Sequence, residues 1–267
     1  MRSIIERNSQ VRTLVKAEPV QRALHSIRGS QAVNERAAFL ARQLRGRGVA
    51  TYQLHNGLKV SVRHGTPDMS IFTRVFWRRI YDPPAQIRDR LRPPIRVLDL
   101  GANIGLFAAS LGPGATVTAV EADPHNAILL EELVAKNGLP WTVIRGFASA
   151  QTGTIRFSSG QKCFSRADPN GDLTETIDVF PLFEGVDLLK MDIEGAEWDI
   201  LRDPRMAKYG PPIIVMEWHI ELCPEPDPGQ AARAALAAAG YTSIVVPDEP
   251  GGTSKTEHRC GHLWAWR

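Results

Sequence analysis

Two short stations in this chain have residue types and spacing that can do chemistry: Asp192-Ile-Glu194 behind one apolar run, and Glu217-Trp-His219 behind another. Each falls where a buried strand would end. All four side chains are therefore candidates to take a proton from an acceptor held beside a reactive group. Imidazole titrates near neutrality, which suits His219 to that task; the plainer alternative is a histidine that closes a buried strand end. Clustered carboxylates also raise a rival role, holding Mg²⁺ through oxygen ligands. Metal-free catalysis is the expectation, with no residue assigned to a metal.

What these groups would act on is read from Arg96-Val-Leu-Asp-Leu-Gly-Ala-Asn-Ile-Gly105, followed 16 residues later by Glu121. Ile95 to Leu100 is a short apolar run of the kind buried on both faces of a parallel sheet. It stops at Gly101, and Ile104, Phe107, Ala108 and Leu111 then recur at helical spacing, with Asn103 expected as the N-cap. Such a loop is expected to offer backbone N–H groups to a ligand, and Gly101 to let that ligand approach closely. The next strand, Thr116 to Ala122, places Glu121 where ribose hydroxyls can be bound.

The glycine spacing narrows the ligand. Dinucleotide turns prefer G-x-G-x-x-G, whereas here Gly101 and Gly105 are separated by Ala102, Asn103 and Ile104 and preceded by Asp99. A carboxylate beside the turn repels a pyrophosphate and suits an ammonium. S-adenosylmethionine has that charge pattern. Asp99, Gly101, Ala102, Asn103 and Gly105 are expected around its methionine end, and Glu121, with Ala122 beside it, at its ribose. Tyr81 is a candidate to cover the site from the front, or else a core tyrosine.

The elements that must position these groups alternate. Residues 1–48 read as a basic helical extension, loosely periodic to about residue 30. Between 32 and 46, Val33, Ala37, Leu40, Ala41 and Leu44 form an apolar stripe. Residues 49–94 read as a lid or accessory layer: Asn56-Gly57 between alternating segments predicts a hairpin, and Asp68 is expected to cap a helix holding Ile71, Val75 and Phe76 that ends at Tyr81-Asp-Pro-Pro84. Residues 95–267 form the core domain. Its strands are expected at Ile95, Thr116–Ala122, Thr142–Phe147, Val186–Asp192, Ile213–Trp218, Tyr241–Val246 and His262–Trp266. Helices at 124–137 and 229–239 each stop at glycine, a short hairpin is expected near Thr154–Phe157, and a loop at 160–172. Strands alternating with helices imply an α/β fold with a doubly wound parallel sheet.

Composition adds bounds. Of 32 Lys and Arg, 19 lie in residues 1–96 against 6 of the 29 Asp and Glu, so the front is strongly basic and the remainder acidic. Lacking dense basic runs or interleaved aromatics, the front is expected to pack on the acidic domain or a second subunit, as in a homo-oligomer, rather than on nucleic acid. Three widely spaced cysteines argue against a disulfide framework. His258, Cys260 and His262 alternate on one strand without a fourth ligand nearby in sequence, so a metal there is not expected. No membrane span or signal segment is apparent, and a cytoplasmic location is the default.

With these residues in view, the chain resembles the FkbM family of S-adenosylmethionine-dependent methyltransferases. Val97 to Gly105 is similar to its cofactor loop, Leu188-Leu-Lys-Met-Asp-Ile-Glu-Gly-Ala-Glu197 with Thr176-Ile-Asp178 to its most distinctive segment, and Val215-Met-Glu-Trp-His219 to its fifth strand. Asn56-Gly-Leu-Lys59, Arg63, Asp68 and Tyr81 fit its lead-in. The resemblance covers roughly residues 50–245. It implies a Rossmann-like class I methyltransferase fold, a seven-stranded, mostly parallel sheet with helices on both faces, whose last strand is antiparallel. It also implies Ala148 and Ser149 near the adenine, Asp192 near the methionine, and methyl transfer to a hydroxyl of a sugar or secondary metabolite. Methylation of nitrogen in a small metabolite or peptide, and a nucleic-acid binder on a degenerate fold of this kind, are the alternatives. One departure is Glu121-Ala-Asp-Pro124, where the family often has Glu-Pro.

Overall fold

The computed structural model describes residues 26–158, 166–167, 170–246 and 260–267. Most of the proposed N-terminal extension, His258 and most of the expected 160–172 loop lie outside them.

A seven-stranded sheet organises the molecule. Its strands are β3 (Ile95–Leu100), β4 (Ala115–Glu121), β5 (Thr142–Arg145), β10 (Leu188–Met191), β11 (Ile213–His219), β12 (Ser243–Val245) and β13 (Cys260–Trp266). They lie in the order β12-β13-β11-β10-β3-β4-β5, with β13 antiparallel to both its neighbours and the other pairs parallel. The order reverses beside β3, which opens a crevice at the carboxyl ends of β3 and β10. Alternation along each strand feeds two cores. Val97, Leu188 and Val215 face one, with Leu130 and Leu133 of α4 (Pro124–Asn137); Leu98, Leu189 and Ile214 face the other, with Ile200 of α5 (Glu197–Arg202), Met206 of α6 (Pro204–Tyr209) and Leu236 of α7 (Pro228–Ala238).

The front section joins the first of these cores. α1 (Arg36–Arg45) is shorter than its expected span and turned differently. Phe39 is its buried anchor, against Tyr52 and Phe72, while Leu44 is 90% exposed and Val33 sits before the helix in a bridge to Leu54. A large aromatic ring sets the phase of this helix because it buries more apolar area than the aliphatic residues of the expected stripe. The hairpin forms as expected: β1 (Val49–Gln53) and β2 (Lys59–Arg63) pair antiparallel. It docks on the end of α4, where Asn137 accepts from the Lys59 N–H and donates to its carbonyl.

α2 (Asp68–Thr73) runs into a π-helical turn, Arg74–Arg78, that ends at Arg79 with φ 56°, before the expected Tyr81 stop. Asp68 caps nothing. Its carboxylate takes a bidentate grip from Arg63 at 2.8 Å and also accepts the Arg63 N–H, a charge-assisted pairing that outcompetes a single capping bond. The expected strand Thr142–Phe147 breaks at Gly146, beyond which β6 (Phe147–Ser149) joins a second sheet in the order β6-β9-β7-β8, with β7 (Gly153–Ser158), β8 (Arg166–Ala167) and β9 (Asp172–Asp178). No described helix is long and apolar enough to cross a membrane.

Candidate active site

A cleft of about 1380 Å³ opens over the carboxyl ends of β3, β4, β10 and β11, with the front section as its far wall. Tyr81, Gly101, Ala102, Asn103, Glu121, Ala122 and Ala148 line it, as do Asp192, Glu194, Glu217 and His219. Asp99, Gly105 and Ser149 are not among its lining residues, and each makes a structural contact. Asp99 is fully buried and pairs with Lys190 Nζ at 3.1 Å. Gly105 starts α3 (Leu106–Ser110) at φ 82°, where an added Cβ would meet Leu130. Ser149 supplies a carbonyl to the Val179 N–H.

The loop differs from expectation in a way that bears on its ligand. Asn103 is not the N-cap; it takes the left-handed conformation at φ 52° and its Oδ1 accepts the N–H of Ile104. Gly101 and Ala102 donate to the Val120 carbonyl, Asn103 to Glu121 and Gly105 to Ala102. Every N–H from Gly101 to Gly105 is thus consumed within the protein, and none is left for a phosphate. Gly101 is required here because, at φ 73°, a Cβ would fall on the carbonyl of Asp192.

Glu121 is 6% exposed. Its carboxylate accepts the N–H groups of Asn103 at 2.7 Å and Asp123 at 2.9 Å, and Asn126 approaches at 3.4 Å. Burial raises its pKa to about 7, only partly offset by those bonds.

At the other end, Glu217 is 1% exposed and enclosed. Arg74 Nη2 donates to Oε1 at 2.7 Å, His262 Nε2 lies 2.8 Å from Oε2, and the Tyr81 hydroxyl reaches Glu217 Oε2 at 3.4 Å and Asp192 Oδ2 at 3.3 Å. Burial alone would raise this carboxyl; His262 and Arg74 outweigh it and hold it well below the usual carboxylate range. Arg74 and His262 were not candidates in the sequence. Arg74 looks like one more polar residue in an amphipathic helix, and only the π turn aims it inward. His262 shares a strand face with Cys260, which lines the cleft, and that parity was the one available hint.

His219 sits between two carboxylates, with Nδ1 3.7 Å from Glu194 Oε2 and Nε2 3.8 Å from Glu217 Oε1. Glu194 takes the left-handed conformation at φ 54°. Burial, with Asp192, Glu197 and Glu217 nearby, raises its pKa to about 9. Lys190 and Glu197 neither pair with each other nor face solvent: Lys190 serves Asp99 and the Gly101 carbonyl, and the buried Glu197 accepts the N–H groups of Ile193 and Gly195, fixing the loop that carries Glu194.

Residues 99–242 match the model of the methyltransferase FkbM domain, over half of the chain. The chain belongs to the FkbM methyltransferase family. This FkbM domain is that of an S-adenosylmethionine-dependent methyltransferase, and its strand order with one antiparallel last strand is the Rossmann-like class I arrangement. No curated protein matches it. Among solved structures, it is similar to precorrin-6y C5,15-methyltransferase from Geobacter metallireducens GS-15 at 17% identity, with 67% of this chain and 83% of that one covered and a TM-score of 0.41. It is also similar to Aeropyrum pernix fibrillarin with natively bound S-adenosyl-L-methionine at 17% identity, coverage 82% and 94%, TM-score 0.43. A third is M. jannaschii TYW2 in complex with AdoMet, at 14% identity, coverage 82% and 85%, TM-score 0.43.

Proposed function

We propose that this FkbM-family protein transfers a methyl group from S-adenosylmethionine to a hydroxyl of a small molecule, such as a sugar or secondary metabolite, with the nucleoside over β3 and β4 and the acceptor over β10 and β11. The observation that carries the reading is the loop from Gly101 to Gly105, whose N–H groups are all used internally. Such a loop offers carbonyl oxygen to an ammonium and nothing to a pyrophosphate. Glu121, at the tip of β4, faces the same cleft with lone pairs beyond those its backbone partners use, and these suit ribose hydroxyls. Phe147 and Ala148, past the break at Gly146, are the adenine side.

S-adenosylmethionine supplies an electrophilic methyl on sulfur. The protein must hold an oxygen in line with it and relieve that oxygen of its proton. Asp192, Glu194 and His219 are the groups for this work. Glu217 is kept ionised by Arg74 and His262 and acts through position, fixing the Tyr81 hydroxyl and facing His219. Carboxylates and imidazole in this region, rather than the amide acceptors that grip an amine, favour oxygen as the nucleophile. Calorimetry with S-adenosylmethionine and, in parallel, NAD⁺ tests the cofactor assignment: only the first should bind. Radiolabelled methyl transfer to a panel of sugars and natural-product hydroxyls then tests the acceptor class, and transfer confined to amines would sink it.

A further inference from the structure

We infer that Asp192, Glu194 and His219 form a binding site for one divalent cation on the acceptor side of the cleft, which selects acceptors able to offer it two neighbouring oxygens. One ligand atom from each of the three residues can be chosen so that all lie within 4.8 Å of one another. An ion about 2.1 Å from each donor sets neighbouring donors about 3 Å apart and opposite donors about 4 Å apart. The 3.7 Å between Glu194 Oε2 and His219 Nδ1 falls in that interval. It is too long for a hydrogen bond.

Those two atoms supply the second observation. Both are buried, and neither has a hydrogen-bond partner. A buried nitrogen and a buried carboxylate oxygen 3.7 Å apart, without another protein partner, each forfeit a hydrogen bond within the protein. A cation satisfies both at once. The backbone at Glu194 holds the less favoured left-handed conformation, and Glu197 pins the turn by accepting N–H groups on either side of it. The turn that carries the carboxylate is therefore held in place.

A second trio, Glu217, His219 and Cys260, is also compact. Glu217 is already committed to Arg74 and His262, so a cation there would have to displace an existing ion pair. In the first trio the competing contact is weaker, a hydrogen bond of 3.3 Å from the neutral Tyr81 hydroxyl to Asp192 Oδ2. Two carboxylate oxygens and one imidazole suit Mn²⁺ or another first-row ion better than the all-oxygen preference of Mg²⁺ or Ca²⁺. Three protein ligands leave positions open toward the cleft, where adjacent hydroxyls, or a hydroxyl beside a carbonyl, would complete the set.

The chemistry rests on the methyl-transfer reading. A cation lowers the pKa of an oxygen it binds. With the ion bound, its three ligands no longer take the proton themselves: the acceptor hydroxyl gives its proton to solvent in the open cleft, its electron pair forms the new oxygen–methyl bond, and the pair of the breaking carbon–sulfur bond stays on sulfur.

The test titrates MnCl₂ into the full chain after EDTA treatment, by calorimetry and by electron paramagnetic resonance of free Mn²⁺, with S-adenosylhomocysteine titrated separately. One equivalent of Mn²⁺ should bind. His219→Ala and Glu194→Gln should each weaken it at least tenfold, with S-adenosylhomocysteine affinity of the His219 variant within about twofold of the parent. Cys260→Ser should leave Mn²⁺ affinity unchanged. Absence of saturable binding, indifference to both substitutions, or equal damage from Cys260→Ser would each overturn the site. A protein that binds Mn²⁺ but not S-adenosylhomocysteine would remove the methyl-transfer reading and leave the ion site standing; the reverse result removes the ion alone.

Discussion

The two ends of the cleft are built on opposite plans. At the end proposed for the nucleoside, the partners of Glu121 are close in sequence, Asn103 at 18 residues and Asp123 at 2, and the one distant pair, Asp99 with Lys190, meets through directly adjacent strands. At the acceptor end, Glu217 is gripped by Arg74, 143 residues away, and Tyr81, 136 away, while Arg74 reaches His262 across 188. Satisfaction differs as well. The loop at the nucleoside end has bonded every N–H, whereas Glu194 Oε2 and His219 Nδ1 at the acceptor end are buried without partners. Buried polar atoms without partners carry a cost of about 1–3 kcal/mol each. Asp99 also has carboxylate oxygens without a hydrogen bond, but Lys190 Nζ stands 3.1 Å away as their counter-ion, whereas the Glu194 and His219 atoms face the cleft, where ligand contacts have most to add.

Four measurements break or sharpen this contrast. The largest effect should come from His219→Ala, which is expected to lower kcat by about 100-fold or more, the range of a lost proton-handling group, while S-adenosylmethionine affinity barely moves. Equal loss of both would merge the two ends. Next, Arg74→Ala leaves the buried Glu217 carboxylate with His262 as its main charged partner, and unfolding in urea should report a loss of about 3 kcal/mol. A change under 1 kcal/mol would mean the front section does not clamp the sheet.

Smaller effects belong to the nucleoside end. Glu121→Ala should weaken S-adenosylmethionine by 1–2 kcal/mol, about tenfold, the worth of charge-assisted hydrogen bonds; calorimetry showing no change would take the ribose away from this residue. The same group gives a pH signature. Its folded pKa, raised to about 7, means it favours the folded state most below the ordinary carboxylate range, and that contribution fades as pH rises through 7. Binding to the ionised form has the opposite sign. Affinity for S-adenosylmethionine should therefore tighten up to about tenfold from pH 6 to 8, and Glu121→Gln should flatten the curve. A flat profile in the parent chain would assign the pKa to the wrong group.

Much of the cofactor end was legible in the sequence. A buried strand, a glycine turn and an acidic residue at the next strand tip are local features with fixed periods, and β3, β4 and α4 stand within a residue or so of where the pattern puts them. The errors have local causes too. Asn103 could cap, but the loop needs a left-handed residue there; Asp68 could cap, but Arg63 offered a bidentate partner; β5 could continue, but Gly146 turns the chain into the second sheet.

By itself, the sequence determined the alternation of strands and helices, the family, and which carboxylates and imidazole stand at strand ends, because hydrophobic period and glycine placement act over a few residues. Only the tertiary structure decided what those groups do to one another. It sent Asp99 inward to Lys190, closed Arg74 and His262 around Glu217, and set Glu194 against His219, since charges that interact over a few ångströms lie up to 188 residues apart along the chain.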